Sequence, residues 1–519
     1  MSKWWGIFAA SLTGFLYYLA FPGVDYWGFA FIAWIPWMLA LRGATPGRAA
    51  MQGLAVGLVS HLLGFSWLLE MLKVFSGFST NVCAVLMVLL CAYQGASFSL
   101  LGWLYARASA RGWPAGFVFV AAFSACETVY PLLFPYNFGA TMHLVYPIAQ
   151  VAEIGGPLLV ALVIFAPGWA ISSVIYRWRM SLRGEQALSF SGAFRAEGWI
   201  RTSFLLLVPL IASSYGLVRI VQIDEIVENA EKVRVGIVQA NISLTDKLQS
   251  PADGLKTNIS LTRKLVAQEK IELAVWPETA IAGAVQEDQA HRFYKERVTR
   301  RLRVPTIIGA VLWRAVDDAR EHALFNSALI SDRKGNIKGR YDKQFLLLFG
   351  EYLPFGEEFP ILYEYSPNSG NFSPGKSFAP LLFEGHEIAT FICYEDIAPT
   401  FVNRLMQHGN PELLVNMTND AWFGDTAEPW EHMALAKMRA IEQRRFFVRS
   451  TNSGVSGFVD PVGRMMKNTG TFHKAAIAED VAWLTIDTPF RHLGYKPWWA
   501  LSFAAFAMAF FRRPRPRSV

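Results

Sequence analysis

Residues 388–396 have the sequence IATFICYED and carry the strongest structural signal in the chain. The apolar and β-branched run 388–392 predicts a buried β-strand. Cys393 follows this strand directly, and two acidic residues come soon after it. Loops at the carboxyl ends of strands are where α/β folds hold their ligands. We therefore expect Cys393 to lie at the functional edge of a sheet.

Further strands and helices alternate around this segment between residues 223 and 490. The other predicted strands are 233–240, 273–276, 304–311, 326–331, 413–417 and 446–450. The predicted helices are 252–269, 286–301 and 427–443. Strands that alternate with helices indicate an α/β layered domain.

The distribution of charge separates this domain from the rest of the chain. Residues 1–222 contain only 18 charged residues, whereas residues 223–490 contain 30 Lys and Arg and 35 Asp and Glu. An ordinary soluble domain has about 25% charged residues, so the first part is membrane-like and the second is globular. The net charge of +7 comes from the membrane part and the tail, and we expect no nucleic-acid partner. Cys393 is the only cysteine of the charged part, which excludes an internal disulfide there.

Eight apolar stretches are near the length of about 20 residues that a bilayer requires. They are 4–21, 26–41, 51–69, 82–106, 113–134, 156–176, 203–222 and 495–511. We therefore predict a multi-pass α-helical membrane bundle of about eight spans. Residues 1–222 form its seven-span region, 223–490 an extracytoplasmic domain, and 491–519 the eighth span with a basic tail. With a cytoplasmic N-terminus, the inside segments hold 14 Lys and Arg and the outside loops between the spans hold two, Lys73 and Arg219, as the positive-inside rule requires.

Two other strand ends carry ionisable side chains. Glu278 follows the predicted strand in LAVWPE, and Lys343 ends the segment YDK after a hairpin turn signal at 332–336. Each alone is typical of a surface charge, but with Cys393 they form a chemical set. A thiol becomes a strong nucleophile when a base such as Glu278 removes its proton. Lys343, with the backbone N–H of Tyr394, can stabilise the oxyanion of a tetrahedral intermediate.

These three segments resemble the Glu–Lys–Cys triad of the nitrilase superfamily, in the same chain order. GIVQAN at 236–241 resembles its opening strand, and NMTNDAWFGDT at 416–426 and RSTNSGVSGFVDPVGR at 449–464 resemble its later segments. Together with the spans, the pattern is similar to the membrane-embedded branch of that superfamily, the apolipoprotein N-acyltransferases, along nearly the whole chain. The resemblance implies a nitrilase-like αββα sandwich for the charged domain.

The resemblance also implies a reaction. A fatty acyl chain passes from a membrane phospholipid, usually phosphatidylethanolamine, to Cys393 as a thioester. It then passes to the α-amino group of the N-terminal diacylglyceryl-cysteine of an apolipoprotein, which is the last step of lipoprotein maturation. Glu278 is then the general base, Lys343 the oxyanion stabiliser and Cys393 the nucleophile. The implied location is a bacterial inner membrane, with the catalytic domain periplasmic and both termini cytoplasmic.

Supporting residues are implied by the same resemblance. Glu351 would orient Lys343 or assist proton transfer. Tyr394 and Glu395 match residues beside the nucleophile that activity needs.

Candidate substrate contacts are apolar. Trp422 and Phe423 match positions near the acyl or lipoprotein site, with core packing as the alternative. Phe349 and Tyr352 lie in the apolar, irregular segment 340–375, which either touches lipid or packs on its own domain.

Two positions depart from the family pattern. Asp342 stands where many members have His, and Leu248 stands where some have Trp. The second departure concerns a Trp-mediated substrate contact and leaves the triad intact. The sequence has no metal-ligand spacing, P-loop or dinucleotide fingerprint, so we expect no metal and no other cofactor.

Two other functions remain open at this point. One is a membrane-tethered nitrilase-type amidase that acts on a small amide. The other is a non-catalytic membrane scaffold that kept the fold, against which the intact triad argues. A lipid-derived acyl group on Cys393 distinguishes the acyltransferase from both.

Overall fold

The computed structural model describes residues 3–183, 187–243, 251–315, 322–356, 358–365 and 369–514. The chain folds into two compact units. The first comprises Met1–Ser66, Asn81–Ile220 and His492–Val519. The second comprises Trp67–Thr80 and Val221–Arg491.

The helices of the described residues are, in chain order, α1 Lys3–Leu19, α2 Ile35–Leu41, α3 Pro46–Gly64, α4 Leu68–Ser76, α5 Thr80–Ser109, α6 Ala115–Thr128, α7 Tyr146–Ala149, α8 Ala152–Ser181, α9 Phe190–Ala196, α10 Trp199–Asn229, α11 Pro251–Glu269, α12 Glu287–Arg297, α13 Ile361–Tyr365, α14 Pro399–Met406, α15 Glu428–Ala436, α16 Met438–Gln443, α17 Pro489–Leu493 and α18 Lys496–Phe510. Short 3₁₀ turns lie at Trp27–Phe31, Phe138–Met142, Thr299–Arg301, Cys393–Ile397 and Asp420–Phe423.

Three helices of the described residues are long and apolar enough to cross a membrane. They are α5, α8 and α10, and a fourth span results if the bent pair α3 and α4 counts as one. The expected count of about eight spans is not confirmed by this criterion. The reason is length: α6 has 14 residues and α18 has 15, whereas a perpendicular span needs about 20.

Small residues let the helices of the first unit approach closely. The backbones of α3 and α5 meet at Gly57 and Gly95, where a Cβ built on Gly57 would lie 2.2 Å from the Gly95 Cα. Helices in membranes associate through such small-residue contacts, because there is no hydrophobic effect to drive them together. The core of this unit is aromatic; for example, the rings of Phe138 and Phe165 stack with centroids 4.7 Å apart.

The second unit contains two β-sheets. The strands are β1 Lys232–Gln239, β2 Leu273–Val275, β3 Ala284–Gln286, β4 Thr306–Ala315, β5 His322–Ser331, β6 Ile337–Asp342, β7 Leu381–Phe383, β8 His386–Ile392, β9 Leu413–Thr418, β10 Phe446–Thr451, β11 Gly457–Val459, β12 Met465–Asn468 and β13 Ala475–Ala482. One sheet has the order β13-β1-β2-β4-β5-β6, with β3 beside β4, and the other has the order β12-β11-β10-β9-β8-β7. The strands β8, β9 and β10 are parallel, and so are β1, β2 and β4.

The two sheets face each other at their central strands. The Ser450 hydroxyl on β10 donates to the carbonyl of Val238 on β1 at 3.1 Å and to that of Val275 on β2 at 3.2 Å. Helices α11 and α12 pack on the first sheet, and α14 and α16 pack on the second. The result is the αββα sandwich expected from the sequence.

The seven strands expected from the sequence are all present. The helix expected at 427–443 is divided into α15 and α16, and short edge strands such as β3 and β7 were not expected. Edge strands of three residues carry too little periodicity to be detected.

We predict that the close approach at Gly57 is needed for stability. Gly57→Ala should lower the thermal unfolding temperature of the detergent-solubilised protein, because overpacking a tight contact costs about 1–3 kcal/mol. Gly47→Ala is the matched control: a Cβ at Gly47, in the same helix, meets nothing within 4 Å. Since Ala is a better helix former by up to about 1 kcal/mol, the control should be neutral or stabilising. Equal unfolding temperatures for the two variants would contradict the prediction.

Candidate active site

The nucleophile candidate begins a tight turn at the end of a central strand. Strand β8 ends at Ile392, and the 3₁₀ turn Cys393–Ile397 follows it. Cys393 has a φ of 55°, a left-handed conformation that a non-glycine residue adopts at a cost of about 1–3 kcal/mol. The Asn416 side chain, on β9, donates to the Cys393 carbonyl at 3.0 Å. A side chain of β9 thus helps to fix the position of the turn.

The two charged candidates come from strand ends of the other sheet. Glu278 follows β2, and Lys343 follows β6 directly. The Lys343 Nζ lies 3.7 Å from Glu278 Oε1 and 2.7 Å from Glu351 Oε2. Gly309 on β4 permits this arrangement, because a Cβ there would lie 2.2 Å from the carbonyl of Pro277.

The electrostatics of the site keep the lysine charged and the thiol protonated. Burial lowers the pKa of Lys343, but the charges of Glu351, Cys393 and Glu278 outweigh it and hold this pKa above its usual range. Burial and the negative charge of Glu278 raise the pKa of Cys393 well above its usual value, although Lys343 opposes them. A base must therefore take the thiol proton before Cys393 can attack.

Asn326 joins the two glutamates, and the sequence did not single it out. Its side-chain nitrogen donates to Glu278 Oε1 at 2.7 Å and to Glu351 Oε1 at 3.0 Å. Its backbone carbonyl accepts the N–H of Lys343 at 2.8 Å. Asn326 and Ser327 are the two polar residues inside the otherwise apolar run LFNSALI of β5, and this signal does not distinguish one from the other.

Glu395 connects the loop after Lys343 (the lysine loop) to the turn that begins at Cys393 (the nucleophile turn). Its carboxylate accepts the backbone N–H groups of Gln344 at 2.7 Å, Phe345 at 3.0 Å and Ile392 at 2.8 Å. It also accepts the Tyr341 hydroxyl at 2.8 Å. Burial raises the pKa of Glu395 to about 7, and the backbone donors oppose this shift.

A buried ionic cluster lies against the nucleophile turn. We use this name for five residues, all buried: Asp396, Asp420, Glu428, His432 and Arg449. Ligand atoms of Asp420, Glu428 and His432 lie within 4.8 Å of one another, as in a metal site. However, Arg449 already supplies a fixed positive charge 3.2 Å from Asp420, so we propose no metal there.

Tyr394 connects the turn to this cluster. Its hydroxyl donates to Glu428, and its ring stacks on that of His432 with centroids 4.5 Å apart. No role was predicted for His432 or Arg449, because nothing along the chain shows which acidic side chains they meet, although Arg449 begins the segment 449–464 and His432 follows the segment 416–426.

The four apolar candidates fall into two groups. Phe423 is buried and packs edge-on against Tyr394 and Trp67, at 5.7 and 5.3 Å between centroids, and Trp422 stacks on Phe75 at 4.6 Å. Phe349 and Tyr352 are exposed by 51% and 36%. Tyr352 lines a cavity of about 440 Å³, together with Phe345, Leu346, Phe355, Tyr363 and Phe372. The described part of the segment 340–375, which we call the arm, therefore packs partly on itself and partly presents aromatic side chains to its surroundings.

The two departures from the family pattern have different outcomes. Asp342 accepts a hydrogen bond from Ser327 at 2.5 Å and from Arg340 at 2.6 Å, so its carboxylate has local partners. Leu248 lies outside the described residues.

Known proteins resemble this chain in both of its parts. Residues 234–486 match the carbon-nitrogen hydrolase family model, and residues 13–170 match the model of the apolipoprotein N-acyltransferase N-terminal domain. The apolipoprotein N-acyltransferase of Geobacter metallireducens is 27% identical over 479 residues, which cover 91% of this chain and 88% of that protein. The apolipoprotein N-acyltransferase of Pseudomonas aeruginosa is 29% identical over 508 residues, which cover 95% and 93%.

A solved structure overlaps with the sheet-containing part. Nit3 of Saccharomyces cerevisiae, a member of branch 10 of the nitrilase superfamily, has a TM-score of 0.36 and 17% identity. The overlap covers 49% of this chain and 90% of Nit3.

We predict that Asn326 holds Glu278 and Glu351 in place beside Lys343. In Asn326→Leu the two carboxylates lose their shared donor, and a hydrogen bond to a charged group is worth about 1.5–3 kcal/mol. Glu278 is then less well placed to take the thiol proton, so the alkylation of Cys393 by iodoacetamide near pH 7 should slow by about 10-fold or more. Asn229→Leu, at the exposed end of α10, is the control and should leave the alkylation rate unchanged. An unchanged rate for Asn326→Leu would show that Asn326 is not part of the site.

Proposed function

We propose that this chain is an acyltransferase that completes lipoproteins. It is homologous to the apolipoprotein N-acyltransferases over nearly its whole length, and it carries a carbon-nitrogen hydrolase domain. It moves a fatty acyl chain from a membrane phospholipid to the α-amino group of the N-terminal diacylglyceryl-cysteine of an apolipoprotein. The observation that carries the proposal is the meeting of Glu278, Lys343 and Cys393 at the strand ends of two facing sheets, in a chain whose other part consists of apolar helices.

The first half of the reaction loads the enzyme. Glu278 takes the proton of the Cys393 thiol, and the sulfur forms a bond to the ester carbonyl carbon of the phospholipid. The carbonyl oxygen becomes an oxyanion, which the Lys343 ammonium and the backbone N–H of Tyr394 stabilise. The intermediate collapses as its bond to the glycerol oxygen breaks. Glu278 returns the proton to that oxygen, so that a lysophospholipid leaves and a thioester remains.

The second half transfers the acyl chain. The α-amino group of the lipoprotein cysteine attacks the thioester carbonyl, and Glu278 takes the proton that the amine loses. The oxyanion forms at the same donors and collapses with loss of the thiolate of Cys393. That thiolate regains the proton from Glu278, and the amide product leaves.

Supporting side chains keep these groups in place. Glu351 and Asn326 hold Lys343 and Glu278 through the contacts of 2.7–3.0 Å given above. Glu395 fixes the loop after Lys343 against the nucleophile turn. Water must be kept from the thioester, and Cys393, which is exposed by only 6%, is shielded from it.

The partners of such a reaction are lipids and lipoproteins. We infer phosphatidylethanolamine as the donor, and Trp422, Phe423, Phe349 and Tyr352 as residues near the acyl chain or the lipoprotein. The exposed aromatic side chains of the arm favour contact with a lipid phase, since apolar surface is stabilised by removal from water.

The membrane arrangement is part of the proposal. Seven spans lie within 1–222 and an eighth within 491–519. This count requires that shorter helices such as α6 and α18 also cross the membrane, which a thinner or locally deformed bilayer permits. The positive-inside distribution favours cytoplasmic termini and a periplasmic catalytic domain over 223–490, in the inner membrane of a bacterium. Both substrates then reach the site without leaving the membrane surface.

We predict that phosphatidylethanolamine vesicles load Cys393 with an acyl group. Mass spectrometry of the purified full-length protein should show a fatty acyl adduct on the peptide with Cys393, removable by neutral hydroxylamine, and lysophospholipid should be released in equal amount. Cys393→Ala should give no adduct, and Glu278→Gln should slow its formation by about 10²–10⁴-fold, because a general base is lost.

The controls separate the alternatives. Vesicles of phosphatidylglycerol test the headgroup, and a small amide tests amidase activity. Hydrolysis of the amide without any lipid adduct would support the amidase. Full complementation of an acyltransferase-depleted cell by Cys393→Ala would support the scaffold.

We also predict the sidedness of the catalytic domain. A reporter enzyme that is active only outside the cytoplasm should be active when fused after Ser250. The same reporter fused after Arg183, in the segment expected to be cytoplasmic, should be inactive. The reverse pattern would overturn the orientation.

A further inference from the structure

The ionic cluster contains a histidine with an acidic partner on each ring nitrogen. His432 Nε2 lies 2.8 Å from Asp396 Oδ1, and Nδ1 lies 3.3 Å from Asp420 Oδ1 and 3.7 Å from Glu428 Oε1. A neutral imidazole has only one N–H to donate. Carboxylate acceptors on both sides therefore require the doubly protonated imidazolium.

The other members of the cluster are consistent with a charged His432. Burial and Arg449 lower the pKa of His432, but Asp396 and Asp420 outweigh them and raise it to about 9. Burial and the charge of Asp420 raise the pKa of Glu428 to about 8, which leaves Glu428 neutral near pH 7. The buried charges then balance, with the cations His432 and Arg449 against the anions Asp396 and Asp420. Such compensation is what permits charges in a buried site.

This cluster holds the nucleophile turn at two points. Asp396 belongs to the turn and is bound by His432 and, at 2.5 Å, by Arg449. The Tyr394 ring stacks on the imidazole at an interplanar angle of 19°, where a cation is attracted to the aromatic face. The strained backbone at Cys393 persists only if the surrounding contacts fix it, and His432 supplies two of them.

We propose that His432 is a positioning residue for acyl transfer: its imidazolium fixes the turn so that the backbone N–H of Tyr394 stabilises the oxyanion. This inference rests on the proposed function, because it takes Cys393 as the nucleophile. His432 touches no reacting atom and acts through Asp396 and Tyr394.

The proposal distinguishes two reactions of the same thiol. Acyl transfer develops a negative charge on a carbonyl oxygen, so it needs the oxyanion donors. Alkylation by iodoacetamide displaces iodide at a saturated carbon and develops no oxyanion. A residue that acts through the oxyanion donor changes the first rate and leaves the second rate unchanged, whereas general disruption of the turn changes both.

The test compares His432→Gln with the wild-type full-length protein in detergent. Two rates are measured: acylation of Cys393 by p-nitrophenyl butyrate, from the burst of nitrophenol, and alkylation of Cys393 by iodoacetamide. His432→Gln should slow acylation at least ~10-fold, through the limiting rate of the burst rather than through the binding of the ester, and leave alkylation unchanged. His291→Gln, which replaces an exposed histidine on α12 of the same unit, should match the wild type in both reactions.

A second measurement needs no variant of His432, and so stands even if His432→Gln fails to fold. In the wild type, the ratio of the acylation rate to the alkylation rate should fall as the pH rises through about 9, where His432 loses its proton. Dividing the acylation rate by the alkylation rate cancels the effect of thiol ionisation, because both reactions use the same thiolate. The charged or titratable groups that face the imidazole are Asp396 and Tyr394 from the turn, Asp420, Glu428 and Arg449. Glu428→Gln should keep the fall, which separates His432 from Glu428.

Each outcome has a definite meaning. Wild-type acylation in a folded His432→Gln, an equal loss of both rates, or a ratio that does not change with pH would each overturn the inference. The soluble ester keeps this test independent of the lipid donor. If the ester acylates Cys393 but phospholipid vesicles never do, the proposed function fails while the role of His432 stands.

Discussion

A buried ammonium group sets the constraints on the candidate site. Lys343 is exposed by only 1%, and a charge in such a place costs several kcal/mol unless partners compensate it. Glu351 and Glu278 supply the compensation. Two carboxylates at such a short distance from each other repel unless a hydrogen-bond donor lies between them. Asn326 is that donor. The candidate base Glu278, the candidate oxyanion stabiliser Lys343 and their partners Glu351 and Asn326 are therefore one set of mutually compensating groups.

The candidate nucleophile Cys393 depends on a second set of buried charges. The turn that begins at Cys393 is held by Glu395 from the lysine loop and by the ionic cluster from behind. Glu395 links the two sets of charged groups, since it accepts hydrogen bonds both from the loop after Lys343 and from Ile392. Polar contacts thus fix the positions of the candidate catalytic side chains on the two sheets.

Much of this was visible in the sequence. The central strands were predicted because each is a short apolar run, and the three candidate catalytic residues were found because each follows such a run or a hairpin. Asn326 and His432 were missed for a physical reason: a polar residue inside an apolar strand, or on a helix, has no local pattern that reveals its partner. The expected count of about eight spans was not confirmed, because hydropathy marks apolar stretches and the helices that form within them are in several cases shorter.

The sequence by itself determined the division into an apolar part and a charged α/β part, and the types of residue at the strand ends. Hydropathy, periodicity and residue type are local properties, so they can be read along the chain. Only the tertiary structure decided which charged groups lie close enough to compensate one another. Glu278, Asn326 and the loop that carries Lys343 and Glu351 are far apart along the chain, and Asp396, Asp420, His432 and Arg449 come from two 3₁₀ turns, a helix and a strand. Because electrostatic compensation acts through space over a few ångströms, it appears only when the folded sheets bring these residues together.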